Sequence, residues 1–132
     1  MWWVKYIGIP FEELGRGRSG ADCWGLLRLI YAEEKGVILP SWSAHDGIKD
    51  KEIVAREVRE AHEYFQRVEE PEPFAMAWFT SEITVAHVGI MVDREHMLHT
   101  LKGKDACLEP VAPRIHLLKG FYLPHDQSNR PA

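Results

Sequence analysis

Residues 20–36 read GADCWGLLRLIYAEEKG. Cys23, Leu26, Leu27, Ile30 and Tyr31 recur at the 3.6-residue spacing of one helix face, and Gly36 is a natural C-terminal stop, so the spacing predicts a helix over 22–35. Asp22 is placed to cap it, a structural role worth about 1 kcal/mol. Cys23 then falls where backbone N–H groups lack partners and the helix dipole is positive, both of which favour a thiolate. A reactive cysteine needs a base, and the remaining sequence is searched for one.

Upstream, residues 2–9 form a short helix or an edge segment that Pro10 closes, followed by the glycine-rich loop FEELGRGRSGA at 11–21. Downstream, VILPSWSAHDG at 37–47 is a loop of turn formers. A second helix is predicted over 50–68, with Ile53, Val54, Val58, Ala61 and Phe65 as its stripe, until EEPEP at 69–73 breaks it. Beyond that break the pattern becomes extended. FAMAWF (74–79), ITVAHVGIMV (83–92), HMLHTL (96–101), ACLEPV (106–111) and KGFYLP (119–124) are short, rich in β-branched and aromatic residues, and separated by turn formers. Helices first and strands afterwards predict an α+β domain with N-terminal helices packed on a mainly antiparallel sheet, spanning 1–124, with a polar, frayed tail at 125–132.

The chain's 132 residues suit one domain, and 45% hydrophobic residues suit an ordinary core. A formal charge of −4 offers no basic footprint, which argues against a nucleic-acid partner. Two cysteines are too few for a disulfide scaffold, and no CxxC or paired Cys/His zinc spacing occurs. The N-terminal MWWVKYIGIPFEELG lacks a basic leader and a cleavage site, and no stretch approaches the ~20 apolar residues of a membrane span. The expectation is a protein made in the cytoplasm without a signal peptide, having neither membrane nor nucleic acid as partner.

The base emerges from residues 85–101, VAHVGIMVDREHMLHTL. A hairpin with a three-residue loop at 93–95 pairs Val92 with His96 and Gly89 with His99. His87 and His99 then share a face as diagonal neighbours, with Gly89 leaving room between them; a two-residue loop would put them on opposite faces. Nucleophile, base and orienting group are thereby available as Cys23, His87 and His99. A zinc site on these histidines would need a third ligand, and this register turns His96 away from His99, so no metal or other cofactor is expected.

GADCWGLLRLIY followed by AHVGIMVDREHMLHT resembles the NlpC/P60 cysteine peptidases, papain-like enzymes in which an Asp-Cys pair opens a helix, a His-Val-Gly-Ile strand follows, and a further polar residue completes the site. The resemblance runs from about Tyr6 to Tyr122, and GIPFEELGR and VILPSW are most similar to the phage and prophage branch, whose members are tail-associated. It implies a papain-like fold, Cys23 as nucleophile, His87 as general base and His99 as orienting residue. The implied substrate is a peptidoglycan stem peptide, the implied partners are phage tail proteins, and the implied location is a virion tail acting on the cell wall. This chain departs from the family pattern twice. Phe11 stands where many members carry a tyrosine hydroxyl facing the site, leaving the Cys23 backbone N–H as an oxyanion donor. EPFAMAWF replaces the usual Gly-Asp before the histidine hairpin.

Other residues keep two readings each. Asp22 is a cap or a contact for a peptide's free amine; Arg16 and Arg18 are a solvated loop or partners for a carboxylate-rich stem peptide. Trp24 is a cleft wall or a core anchor. Cys107, mid-strand, reads as a small core residue, and His45, His62, His116 and His125 as surface. The alternative to a peptidase is a tail-assembly or adaptor domain that keeps the fold without catalysis; acyl transfer on the same residues is a further one.

Overall fold

The computed structural model describes residues 1–41, 63–80 and 87–125. Strands β1 (Arg16–Gly17) and β2 (Gly20–Ala21) pair as a small antiparallel ribbon ahead of helix α1 (Cys23–Ile30). Then come β3 (Phe65–Val68), β4 (Met76–Phe79), β5 (His87–Met91), β6 (His96–Leu101), β7 (Lys104–Pro110) and β8 (Leu118–Pro124). These six form one sheet in the order β3-β8-β4-β5-β6-β7, with every neighbouring pair antiparallel. The α+β expectation holds, with one short helix on the sheet among the described residues.

Helix α1 forms where its pattern places it. Leu26, Leu27, Ile30 and the following Tyr31 are buried in one cluster with Val88, Ile90 and Leu98 of the sheet, each fully buried aliphatic side chain being worth about 1.5–3 kcal/mol. The helix continues past Ile30 as a single wider turn, Tyr31–Lys35, and stops at Gly36, whose φ of 65° is the left-handed conformation glycine adopts without strain. Among the described residues no helix is long and apolar enough to cross a membrane.

The second predicted helix needs correction where it can be seen. Phe65–Val68 is an edge strand paired with β8, not the end of a helix. Strand pairing satisfies its backbone, sends Phe65 inward against the rings of Trp24 and Tyr31 and Val68 against the apolar layer on the other face of the sheet, and leaves Gln66 and Arg67 exposed. The rest of that helix, the end of the preceding loop, His45, His62, residues 83–86 and all but His125 of the polar tail lie outside the described residues. At the N-terminus, Trp2–Tyr6 is a 3₁₀-helix, and the segment after it bonds to the outer edge of β7: the Gly8 N–H donates to Ala106 O and the Ala106 N–H to Ile9 O. This covering removes an open sheet edge.

The sheet separates two apolar layers. Val88, Ile90, Val92, Leu98 and Ala106 face α1, whereas Ala75, Ala77, Phe79, Met91 and Met97 form a second cluster on the other side. By alternation His87, Gly89 and His99 belong to the second face.

Candidate active site

The loop before α1 is fastened by Asp22. Its Oδ1 accepts from the Gly25 N–H at 2.8 Å, capping the helix, and its Oδ2 accepts from the Leu14 N–H at 3.0 Å. Arg16 Nη1 lies 2.7 Å from Oδ1, and Arg16 Nε donates to Ser41 O at 2.9 Å. Both side chains are therefore engaged within the fold, and Arg16 is no solvated loop residue. Arg18 is exposed, paired with Glu33 and seated over the Tyr6 ring.

Cys23 is the first residue of α1 and a free thiol. The N–H groups of Val88 and Trp24 face its sulfur, so the thiol stands against the start of β5, beside the residue that follows His87. Part of the residue's surface remains accessible, but protein atoms surround the sulfur, and this desolvation pushes the thiol up to about 11. The two N–H groups and Arg16 oppose that rise and are outweighed. The helix start does not by itself deliver a thiolate: for this sulfur, burial exceeds the dipole.

The histidine hairpin has the predicted register. Ile90 pairs with Leu98 and Met91 with Met97, and the Val92 N–H donates to His96 O at 3.0 Å, which sets Gly89 opposite His99. A Cβ on Gly89 would come within 2.7 Å of Met97 Sδ and 3.3 Å of His99 Cβ, so the glycine keeps this space open. His87 Nε2 and His99 Nδ1 are 2.9 Å apart, and the rings, 9% and 1% exposed by residue, meet edge to face. Burial, then the neighbouring His99 and Arg114, drive His87 down to about 3; burial lowers His99 as well. Thiol and imidazole thus rest uncharged at neutral pH.

Sequence reasoning missed Glu109. Its Oε2 lies 3.2 Å from His99 Nε2, an ion-pair distance, although the pair is not aligned as a hydrogen bond. Lys104 bonds the same carboxylate and Arg114 Nη2 stands 3.6 Å from Oε2. With Lys104 as the largest influence, Glu109 is held down to about 2 and stays charged. A carboxylate at that place favours the proton on His99 Nε2. His99 Nδ1 then accepts from His87 Nε2–H, and His87 Nδ1 keeps a lone pair. The strand spacing of Cys107 and Glu109 held the available signal, but only as two positions sharing some face of a strand.

Several other expectations are resolved by placement. Trp24 Nε1–H donates to Pro40 O at 2.9 Å, and its ring meets Phe65 edge-on. Phe11 forms an isolated bridge with Ala21, just ahead of Asp22. His96 leaves the pair and sits 3.0 Å from Asp93 in the exposed turn. Cys107 is not a core residue: it is half-buried on β7, opposite His99, with its sulfur 3.6 Å from Glu109 Oε1, and it is not bonded to Cys23.

The family model described as NlpC/P60 family matches residues 8–115, and the chain belongs to that family. Cys23, His87, His99 and Glu109 all lie inside the match. Among solved structures, the NlpC/p60 domain of the peptidoglycan hydrolase SagA is similar at a TM-score of 0.62 and 21% identity, covering 90% of this chain and 89% of that one. A lipoprotein-like NLP/P60 family protein from Staphylococcus aureus subsp. aureus Mu50 is similar at 0.64 and 19% identity; the match covers 91% of this chain and 38% of that protein. At such identities the likeness concerns the fold. None of the curated proteins matches the chain.

Proposed function

We propose that this protein is a cysteine endopeptidase or amidase acting on peptidoglycan stem peptides, with Cys23 as nucleophile, His87 as general base and His99 as orienting residue. The carrying observation is the 2.9 Å contact between His87 Nε2 and His99 Nδ1 at the strand end where the Cys23 thiol meets the Val88 N–H. Membership of the family and the peptidoglycan hydrolase among its structural neighbours support the substrate class.

His87 belongs to the sheet face away from α1, so this reading requires its ring to reach the thiol around the end of β5. With Nε2 committed to His99, Nδ1 is the histidine nitrogen left to take the Cys23 proton. As that proton transfers, sulfur bonds to the peptide carbonyl carbon, and the imidazolium is stabilised through His99 by Glu109. The oxyanion finds the Cys23 N–H in place of the absent tyrosine hydroxyl at Phe11. His87 then protonates the leaving amine, and water, giving its proton back to His87, releases the acyl group from sulfur. Asp22 and Arg16 support the site by fixing the helix start, Trp24 follows Cys23 and Phe11 bridges Ala21 ahead of it; contact of these four with substrate belongs to this proposal. Delivery by a phage or prophage tail, with tail proteins as partners, is the reading that residues 8–16 and 37–42 favour.

Muropeptides with intact stem peptides, incubated with the reduced protein, are expected to yield shorter fragments by mass spectrometry, and Cys23→Ala to yield none. Undiminished release by Cys23→Ala overturns the proposal. Phe11 and the raised thiol favour a second reading, a tail adaptor without catalysis. That reading requires that Cys23→Ala leave tail assembly intact and that iodoacetamide label Cys23 no faster in wild type than in His87→Ala.

A further inference from the structure

One cluster of donor atoms shares His99 and Glu109 with the proposed catalytic machinery and adds Cys107, which that machinery does not use. A ring nitrogen of His99, Cys107 Sγ and a Glu109 carboxylate oxygen all lie within 4.8 Å of one another; Nδ1 is engaged with His87, and Nε2 is the nitrogen that faces Glu109, at 3.2 Å. They are brought together by β6 and β7, where His99 opposes Cys107 and Met97 opposes Glu109, so that all three project from one face. His99 Nε2 is buried and lacks an aligned hydrogen bond, although Glu109 lies beside it. A buried ring nitrogen, a thiol and a carboxylate facing one another are a donor set rather than a packing arrangement.

We propose that His99, Cys107 and Glu109 form an inhibitory zinc site. Nitrogen, sulfur and oxygen donors of this kind suit zinc, and three protein ligands leave a fourth position for water. Tetrahedral zinc needs donors about 3.5 Å apart, so a spread of up to 4.8 Å closes by modest rotation of the half-buried Cys107 and Glu109 around the fixed His99. Thiolate, carboxylate and Zn²⁺ together are neutral, the Cys107 proton leaving to solvent. Lys104, whose side chain is 43% exposed, releases Glu109 and swings into water.

The inhibitory consequence follows from proton positions and rests on the peptidase reading. Zinc on His99 Nε2 forces the His99 proton onto Nδ1, which must then donate to His87 Nε2 across their 2.9 Å contact. His87 consequently carries its own proton on Nδ1, the atom proposed to accept the Cys23 proton. One bound cation thereby reverses the hydrogen bond between the two rings and blocks the base without touching Cys23.

Zinc alone is the probe, titrated into full-length Cys23→Ala by competition with a chromogenic chelator, so that the nucleophilic thiol cannot contribute. One site is expected, with affinity falling at least about tenfold in Cys23→Ala/Cys107→Ser and in Cys23→Ala/Cys107→Ala. In ¹⁵N histidine spectra zinc is expected to move the His87 proton from Nε2 to Nδ1, a readout independent of catalysis. If the muropeptide assay shows activity, Cys107→Ser is expected to keep basal turnover and to need about tenfold more zinc for half-inhibition. Unchanged affinity in the Cys107 variants, or zinc binding that disappears with Cys23→Ala, overturns the site. Zinc binding at Cys107 with an unmoved His87 proton overturns the tautomer mechanism, and a protein with that shift but no hydrolysis counts against the peptidase reading alone.

Discussion

Glu109 Oε2 stands 3.2 Å from His99 Nε2, so the histidine pair is backed by a charged carboxylate from the next strand. Lys104, as the largest influence, keeps that carboxylate ionised, and Arg114 Nη2 stands 3.6 Å from it. Replacing it by an amide removes the charge that favours the proton on His99 Nε2 while keeping the shape. Glu109→Gln is expected to lower kcat about tenfold with KM little changed, because the tautomer matters to proton transfer rather than binding. Steady-state kinetics on a stem-peptide substrate check the split; a rise in KM alone would assign Glu109 to substrate binding.

The two histidines are expected to differ in severity. His87→Ala removes the proposed proton acceptor and is expected to lower kcat by roughly 10³, whereas His99→Asn, which still offers an acceptor to His87 Nε2–H, falls less steeply. Equal losses would mean that His99 does more than orient its neighbour. Iodoacetamide labelling of Cys23 at neutral pH offers a check independent of substrate and is expected to slow at least about tenfold in His87→Ala.

Stability is expected to fall with acid in two windows. Burial and the adjacent His99 and Arg114 lower folded His87 from 6.5 to about 3. The unfolded chain therefore binds this proton first as pH drops, and the stability is complete above about 6.5 and is lost towards about 3. Glu109, lowered from 4.5 to about 2 with Lys104 as the first cause, adds a loss that begins near 4.5. Urea midpoints across this range are expected to show a shallower upper window in His87→Asn, the remainder belonging to His99, and a shallower lower window in Glu109→Gln. An unchanged upper slope in His87→Asn would remove His87 as a source of that window.

Asp22 joins the cap, the Leu14 turn and the Arg16 ion pair in one carboxylate. Asp22→Ala loses a cap worth about 1 kcal/mol and strands a partly buried guanidinium, for a total of about 2–3 kcal/mol. Asp22→Asn keeps the cap geometry and is expected to lose about half as much. Urea unfolding measures both, and equal losses would place the energy in the charge rather than the cap.

Gly89 separates stability from activity. An alanine Cβ would meet Met97 Sδ, the end of a flexible side chain, at 2.7 Å and the His99 Cβ at 3.3 Å. Met97 can rotate but the histidine pair has less freedom, so Gly89→Ala is expected to lose more in kcat than in urea midpoint. The reverse order would mean that the second core layer, not the histidine pair, absorbs the methyl group.

Much of this arrangement was legible in the chain because it depends on local rules. Helical spacing and a cap residue located α1, and a three-residue loop with period-2 alternation fixed the β5–β6 register and set His87 beside His99. Phe65–Val68 was misread because its pairing partner, β8, lies far along the chain, and only that pairing made the extended form preferable to the helix.

Sequence by itself determined which residues stand next to one another across a tight turn, since loop length and strand alternation leave few choices. Tertiary structure alone decided their state and their third neighbour. Burial reversed the expected acidity of Cys23, because desolvation comes from the whole surround and not from the helix end. Glu109 reached His99 because the β6–β7 pairing shifts between His99 and Leu101, where Thr100 Oγ1 donates to Lys104 O. Continued unshifted from Leu101 and Lys104, the register would have set Ala106 opposite His99 and turned Cys107 and Glu109 to the other face. Such a one-residue shift depends on how the sheet packs, and no local pattern announces it.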